Sequence, residues 1–233
     1  NTGLAFADLT DMHENLQILD VQNSEYSNTW QRIWGKRHEV LNHYNEMLVK
    51  LQESQQPGRR LNVIFRVYNN GIALRYEIPE QTAVDSFALT ADLTEYNLSQ
   101  DCQVWAVNYG GFASHQESEF IAQKFTDLSP DSVYGLPMLI QHSDSVWLSI
   151  TEADLTDWAG MYLGRGDNDY FLRTLMAPLP GQAPVCVRSA APRVSPWRVV
   201  MIGESPGDFI ESDLIANLND PCAIEQTNWI KPG

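Results

Sequence analysis

Apolar and polar residues alternate with a period of two along most of the chain, which is the spacing of strands that bury one face. Such alternation, or a short apolar run between turn residues, predicts a strand at residues 46–52, 61–67, 72–78, 86–90, 103–108, 119–125, 137–142, 146–151, 161–164, 171–178, 185–190 and 197–203. Long helical patterns do not separate these segments, so a parallel α/β sheet is disfavoured. The pattern predicts an all-β sandwich or barrel.

The tetrapeptide at residues 68–71 joins two of these strands and predicts a β-hairpin. Asn-Gly between apolar runs favours a two-residue type I′ loop, because both central residues need positive φ. With residues 70–71 as that loop, Arg66 would face Arg75 across the pair. Two like charges in this position are destabilising, so we expect acceptors on that face, with Glu77 as one candidate.

The clearest helical pattern lies near the C-terminus. Asp208 or Ser212 is placed to cap a short helix that runs through residues 215–218 and ends near Asn219. A helix of this length adds little to an all-β chain, so we expect only short helices near the C-terminus.

Composition narrows the classes of function. The chain has 233 residues, 43% of them hydrophobic, which is enough for one large domain. Fifteen basic against 30 acidic residues give a formal charge of −15, and without a basic stripe we expect no duplex nucleic acid as a partner. No segment reaches the roughly 20 apolar residues of a membrane span, and no export signal is visible.

Three widely spaced cysteines disfavour two kinds of site. Cys102, Cys186 and Cys222 form no Cys-x-x-Cys pair, so neither a zinc ribbon nor a thioredoxin-type centre is expected. The spacing leaves open one disulfide with one free thiol, or three buried thiols.

A carboxylate stands where the strand pattern calls for an apolar side chain. Val146, Leu148 and Ile150 share one face of the strand at 146–151, and continuing the period puts Glu152 in phase with them. Burying a carboxylate is costly unless a positive group meets it. Three interpretations are open: an Arg or Lys pairs with Glu152, a cation binds it, or the strand has ended and the side chain lies at its rim.

Two further sets of residues suggest binding chemistry. His115, Glu117 and Glu119 would share one face if residues 113–120 were extended, and such a set could bind a metal, although the pattern favours an acidic solvated face. A sugar-stacking platform, or alternatively core and interface packing, is suggested by four aromatic residues: Trp105, Tyr109, Trp158 and Tyr162.

Several motifs, taken in order, resemble the N-terminal domain of glycoside hydrolase family 97. They are Trp30-x-x-Ile-Trp-Gly35, Asn42-x-Tyr-Asn-Glu46, the run Phe-Arg-Val-Tyr-Asn-Asn-Gly-Ile-Ala-Leu-Arg-Tyr-Glu at 65–77, Leu136-Pro-Met138, Thr151-Glu-Ala-Asp-Leu155, and Pro196-Trp-Arg-Val199 with Gly203. The final residues, Asn228-Trp-Ile-Lys-Pro-Gly233, resemble the family's junction into its catalytic barrel. The resemblance runs from Gly3 to Gly233, and the shared order of the motifs is what makes it specific.

The resemblance implies a fold and a function. Family members are exo-acting α-glycosidases, mostly α-glucosidases and α-galactosidases. They have an N-terminal β-super-sandwich of the galactose mutarotase-like type, a central (β/α)₈ barrel and a small C-terminal β domain. Residues 1–233 are accordingly expected to be one N-terminal sandwich, truncated at its start, with the barrel following residue 233. The catalytic carboxylates belong to the barrel, and family members usually work in the periplasm or outside the cell.

By motif match, the resemblance assigns Glu152 to an active-site calcium ion that the sandwich shares with the barrel. Calcium takes about 6–8 oxygen ligands, and this chain offers Glu152 with Asp154 or Asp157 nearby. We therefore expect negligible calcium affinity in the isolated chain. The complete enzyme would bind calcium and an α-linked oligosaccharide. The alternative role for Glu152 is a rim carboxylate paired with Arg66, Arg75 or Arg165.

Two other functions stay open. One is a carbohydrate-binding β-sandwich that acts alone and has no catalytic role. The other is a mutarotase-like enzyme, which would need a His/Glu acid–base pair in a concave face. The candidate histidines are His38, His115 and His142.

Overall fold

The computed structural model describes residues 2–33, 35–166, 170–227 and 229–231. Within these residues the chain forms 16 strands and two short α-helices. The strands are β1 (Leu4–Phe6), β2 (Leu16–Gln31), β3 (Glu39–Glu53), β4 (Arg60–Tyr68), β5 (Gly71–Ile78), β6 (Ser86–Asp92), β7 (Glu95–Asn97), β8 (Gln103–Val107), β9 (Phe120–Lys124), β10 (Met138–Ser143), β11 (Val146–Ala153), β12 (Met161–Arg165), β13 (Phe171–Met176), β14 (Val187–Ala190), β15 (Arg193–Val194) and β16 (Trp197–Gly203). The helices are α1 (Pro206–Glu211) and α2 (Leu214–Leu218), and a 3₁₀ turn spans Phe125–Asp127.

Four residues of the family-like motifs lie outside the described residues. They are Trp34 of the first motif and Asn228, Pro232 and Gly233 of the last.

The strands form one large sheet and two small ones. The large sheet has the order β2-β3-β4-β5-β16-β11-β10-β8-β9, and β15 pairs with β5 beside this path. The small sheets have the orders β1-β6-β14 and β12-β13-β7. The pairings of the described strands are antiparallel, as in β11 with β16 and β6 with β14. The predicted all-β antiparallel fold is confirmed.

The two small sheets pack on one face of the large sheet, which we call the inner face. One core cluster joins Leu61, Val63 and Tyr76 of the large sheet to Phe87 and Leu89 of β6. A second cluster joins β8, β10 and β11 to β12 and β13 through buried residues that include Val104, Ile140, Ile150, Leu163 and Leu172. The opposite, outer face is covered over β5 and β16 by α2, through Leu214 and Leu218.

The hairpin between β4 and β5 has a different register from the one predicted. Tyr68 pairs with Gly71, so Asn69 and Asn70 form the loop. Arg66 therefore faces Ala73, and the predicted cross-strand pair of Arg66 with Arg75 is wrong.

Close packing explains why this glycine lies in a strand and not in the turn. A Cβ on Gly71 would lie 2.7 Å from the carbonyl oxygen of Val200 and 2.7 Å from Cδ1 of Leu214. The glycine lets β5 approach β16 and α2, which a turn motif in the sequence does not reveal. Arg66 pairs with Glu46 and Arg75 with Asp154, whereas Glu77, the predicted acceptor, accepts a hydrogen bond from Asn62.

Other predictions were correct in type and wrong in extent. The strand predicted at 46–52 is the C-terminal half of β3, which pairs along its length with β2 in a long exposed hairpin. The predicted C-terminal helix is two helices. Ser205 caps α1 in a capping box with Asp208, which occupies the third helical position, and Asp213 precedes α2.

The three cysteines are free thiols in the structure. Cys102 and Cys186 are buried and Cys222 is exposed, which differs from both arrangements that the sequence left open. Burial raises the pKa of the Cys102 and Cys186 thiols, as expected of structural cysteines.

Candidate functional site

Glu152 lies within β11, and its carboxylate is held from two directions. Directly opposite on β16, Arg198 donates from Nη1 to Glu152 Oε2 at 2.9 Å. The amide N–H of Met161, at the start of β12, donates to Oε1 at 3.0 Å and to Oε2 at 3.1 Å. The strand therefore continues through Glu152, and the side chain lies between the two layers of the sandwich.

Arg198 is the centre of a buried polar network. Its Nε donates to Oδ2 of Asp92 at 2.7 Å, and both side chains are fully buried. Oδ1 of Asp92 accepts from the Thr94 hydroxyl at 2.6 Å and from the Thr94 amide at 2.9 Å. The Tyr76 hydroxyl lies 2.8 Å from the Thr94 hydroxyl. The network thus connects the large sheet with both small ones.

The network carries more negative than positive charge. One guanidinium meets two carboxylates, and Asp92 is the fully buried partner. Glu152 keeps 14% of its side chain exposed, so the surplus charge resides at the member nearest to solvent. Burial raises the pKa of Glu152 above its ordinary value of 4.5, partly opposed by Arg198, and the Asp92 charge adds to the rise.

Calcium fits this site only in part. Among the described residues, Oε2 of Glu152 accepts from Arg198 and from Met161, whereas Oε1 accepts from Met161 alone and retains acceptor capacity. No three His, Cys, Asp or Glu side chains in the described part of the chain gather as metal ligands would. The residues present therefore fit a single carboxylate contributor and do not form a complete calcium site.

The two aspartates predicted near Glu152 have other partners. Oδ2 of Asp154 lies 3.4 Å from Nη1 of Arg75 on the outer face, and burial raises the pKa of Asp154. Oδ2 of Asp157 lies 3.3 Å from Nη2 of Arg193. Neither aspartate adds a third carboxylate to the Arg198 network.

The arginine partner of Glu152 is not among those predicted. Arg66 pairs with Glu46, Arg75 with Asp154, and Arg165 donates to the carbonyls of residues 126 and 128. The sequence nevertheless contains a signal that points to Arg198. In the strand at 197–203, Arg198 shares its face with Val200 and Ile202, so the period of two that singled out Glu152 also places Arg198 on a buried face.

A stack of aromatic rings and guanidinium groups lies on the outer face of the large sheet. The Arg66 guanidinium lies 4.3 Å from the Tyr44 ring centroid and 4.6 Å from that of Trp197, and Arg75 lies 4.3 Å from that of Trp197. Burial lowers the pKa of Arg75, and the neighbouring Arg66 charge adds to this effect. These contacts explain how Arg66 and Arg75 coexist on one face.

The other predicted sites are not assembled. Residues 113–119 form no strand, and His115 accepts from the Glu117 amide, so the extended segment on which a shared metal-binding face depended is absent. His38 and His142 contact the Arg32 carbonyl and the Ser99 hydroxyl.

The four aromatic residues of the predicted platform lie in three different places. Trp158 packs against Phe87 at the first core cluster, and Tyr109 contacts Tyr162. Trp105 contacts Trp147 instead, with ring centroids 5.2 Å apart.

The glycosyl-hydrolase 97 N-terminal family model matches residues 1–221. The chain belongs to this family. Its match with the retaining α-galactosidase of Bacteroides thetaiotaomicron is 26% identical over 220 residues and covers 84% of this chain and 32% of that protein. The resemblance found in the motifs is confirmed.

Solved structures agree with this assignment. A glycoside hydrolase family 97 enzyme from Pseudoalteromonas sp. strain K8, in complex with acarbose, superposes with a TM-score of 0.87 at 27% identity, over 100% of this chain and 34% of that one. A β-arabinopyranosidase shares the fold over 87% of this chain, with a TM-score of 0.74 at 22% identity. The family 97 chain therefore spans about a third of the length of the relatives it matches. Neither described helix is long and apolar enough to cross a membrane.

Proposed function

We propose that this chain is the N-terminal domain of a calcium-dependent, exo-acting α-glycosidase, which packs on a catalytic barrel and supplies Glu152 to the calcium ion. The substrate would be an α-linked oligosaccharide of the glucoside or galactoside type. Support comes from the family membership and from relatives named as a retaining α-galactosidase and as a family 97 enzyme bound to acarbose. Those relatives are about three times as long as this chain, which leaves room in them for a separate catalytic region.

The observation that carries the calcium role is the surplus negative charge of the Arg198 network. A buried Arg198–Asp92 pair is already neutral, so the second carboxylate is not needed to balance the guanidinium. Glu152 nevertheless keeps an oxygen with unused acceptor capacity and some solvent contact. A cation supplied from outside the sandwich would neutralise this charge.

In this arrangement the chain orients a ligand and performs no chemistry itself. Arg198 and the Met161 amide hold the Glu152 carboxylate at two points. The lone pair of Oε1 that remains unused therefore points in a defined direction. When bound, calcium would polarise the substrate or a water molecule beside the catalytic carboxylates.

The test is Glu152→Gln in the complete enzyme that carries this domain. We expect lower turnover of an α-linked aryl glycoside together with a weaker calcium response, measured by activity and by calorimetric titration of calcium. Glu46→Gln is the matched control, because Glu46 also pairs with an arginine but lies on the outer face. Normal turnover and unchanged calcium binding in Glu152→Gln would remove the assignment.

We also propose a periplasmic or extracellular location for the parent enzyme. Cell fractionation with an antibody against this domain tests it, and recovery in the cytoplasmic fraction alone would contradict it.

A further inference from the structure

A pair of tryptophans on the outer face of the large sheet is not used by the proposed function. Trp105 of β8 and Trp147 of β11 lie on either side of β10, with ring centroids 5.2 Å apart and planes 33° apart. Both side chains are half-buried. Indole rings that remain partly accessible on a sheet face have an apolar surface available for a ligand.

The strand register places two amide side chains next to the rings. Gln103, Gln141 and Trp147 face one another across β8, β10 and β11, and Trp105 faces Leu139 in the next row. The alternate residues of the same strands, including Val104 and Ile140, are fully buried in the second core cluster. The rows that contain the tryptophans therefore point away from the core. We call Gln103, Trp105, Leu139, Gln141 and Trp147 the Trp105–Trp147 patch.

The amide groups of this patch are available to a ligand. Within the described part of the chain, the side chains of Gln103 and Gln141 form no hydrogen bond, and both residues are partly exposed, as the two tryptophans are. Each amide offers two donors and one acceptor oxygen. Aromatic surface with free amides at its border matches a sugar, which has apolar C–H faces and a rim of hydroxyl groups.

The absence of charged residues from the patch favours a neutral sugar over a charged ligand. The chain carries a formal charge of −15, yet none of the five patch residues is charged. Lys124, which pairs with Gln103 on the adjoining strand, is the nearest charged strand residue on this face. A cationic partner would find no carboxylate in the patch, and an anionic polymer would find a single lysine.

We propose that the Trp105–Trp147 patch binds a neutral oligosaccharide chain at a surface site separate from Glu152. Pyranose rings would stack on the indoles, while Gln103 and Gln141 hydrogen-bond to sugar hydroxyls. The site would hold a polysaccharide near the protein without catalysis. It does not depend on the calcium role of Glu152, so either proposal can fail alone.

Native electrophoresis of the 233-residue chain in gels containing amylopectin tests the proposal, with pectate gels as the acidic comparison. We expect retardation in amylopectin, its loss in Trp147→Ala and its weakening in Gln141→Leu. Gln141→Leu removes the amide but not the bulk, so it remains informative if the tryptophan variant does not fold. Tyr26→Ala is the matched control, because Tyr26 is an exposed aromatic residue at the far side of the same sheet.

Three results would overturn the proposal. They are no retardation in amylopectin, retardation in pectate alone, and retardation that Trp147→Ala and Gln141→Leu leave as strong as in the control. A protein partner on this patch would give the first of these results.

Discussion

The Arg198 guanidinium faces the Glu152 carboxylate directly across β16 and β11, with 2.9 Å between Nη1 and Oε2. The same guanidinium has a fully buried partner in Asp92, at 2.7 Å from Nε. Although burial alone would lower the pKa of Arg198, the two carboxylates raise it above its usual value. Arg198 is therefore permanently charged, and removing it would leave two carboxylates without a counter-ion.

We predict that Arg198→Met lowers the free energy of unfolding by about 3–5 kcal/mol, because a buried charge that loses its partner is strongly destabilising. Urea unfolding followed by circular dichroism measures the change. Arg188→Met is the control, since Arg188 is exposed and its Nε donates to the side-chain amide oxygen of Gln182, which carries no charge. The control should stay within about 0.5 kcal/mol of the wild type. If Arg198→Met changed the free energy of unfolding as little as the control, the Asp92–Arg198 pair would not stabilise the fold.

Glu152→Gln should change how the stability of the chain depends on pH. The pKa of Glu152 is raised in the folded state, so between 4.5 and that raised value the folded chain holds more protons than the unfolded chain. Stability from this group is present below 4.5 and is lost as the pH rises through the folded pKa. Glu152→Gln has no carboxyl group at this position, so its stability does not fall for this reason as the pH rises.

We therefore expect the stability of Glu152→Gln, relative to the wild type, to increase as the pH rises from below 4.5 to neutral. The measurement is denaturant unfolding of both proteins across this range in buffer containing a calcium chelator. Taking the difference between the two proteins cancels the titration of the other acidic groups. A relative stability that decreases with pH would mean that the Arg198 attraction outweighs burial.

Glu152 and Arg198 also illustrate what could be predicted from the sequence. Both interrupt the apolar phase of a strand, and a strand period of two is a local property that the sequence records. The pairing between them depends on β11 lying next to β16, strands that are about 45 residues apart in the sequence. Strand order of this kind is set by the whole sandwich, so the local pattern does not identify Arg198 as the partner, and the predicted partners Arg66, Arg75 and Arg165 are wrong.

For a related reason the sequence did not predict the β2 strand, and it predicted the β4–β5 hairpin with the wrong loop residues. β2 is almost wholly exposed, so its residues show little apolar alternation although they pair along the length of β3. Gly71 matched a turn signal, but its role is to let β16 and α2 approach β5. Local sequence does not distinguish a glycine required for positive φ from one required for space.

Gly71→Ala should destabilise the chain by about 1–3 kcal/mol, the usual cost of forcing extra atoms into packed structure. The added Cβ would lie 2.7 Å from a backbone oxygen, which moves less readily than a side chain. Gly111→Ala is the control, because a Cβ there meets nothing within 4 Å. Thermal unfolding of both variants measures the difference. Equal melting temperatures in the two variants would contradict the close approach of β5 and β16.

The buried hydroxyl of Tyr68 should limit the stability of the chain at alkaline pH. Burial raises the pKa of Tyr68 from 10.0 to about 12, against the opposing charge of Arg66. Between these values the folded chain holds a proton that the unfolded chain has lost, so stability falls as the pH rises through this window. Tyr68→Phe keeps the ring and removes the ionisation, and should therefore unfold at higher pH than the wild type.

Ultraviolet absorbance of tyrosinate, recorded with circular dichroism, follows ionisation and unfolding together. Tyr26→Phe changes an exposed tyrosine and is the control. An unchanged alkaline midpoint in Tyr68→Phe would show that this buried hydroxyl does not limit stability there.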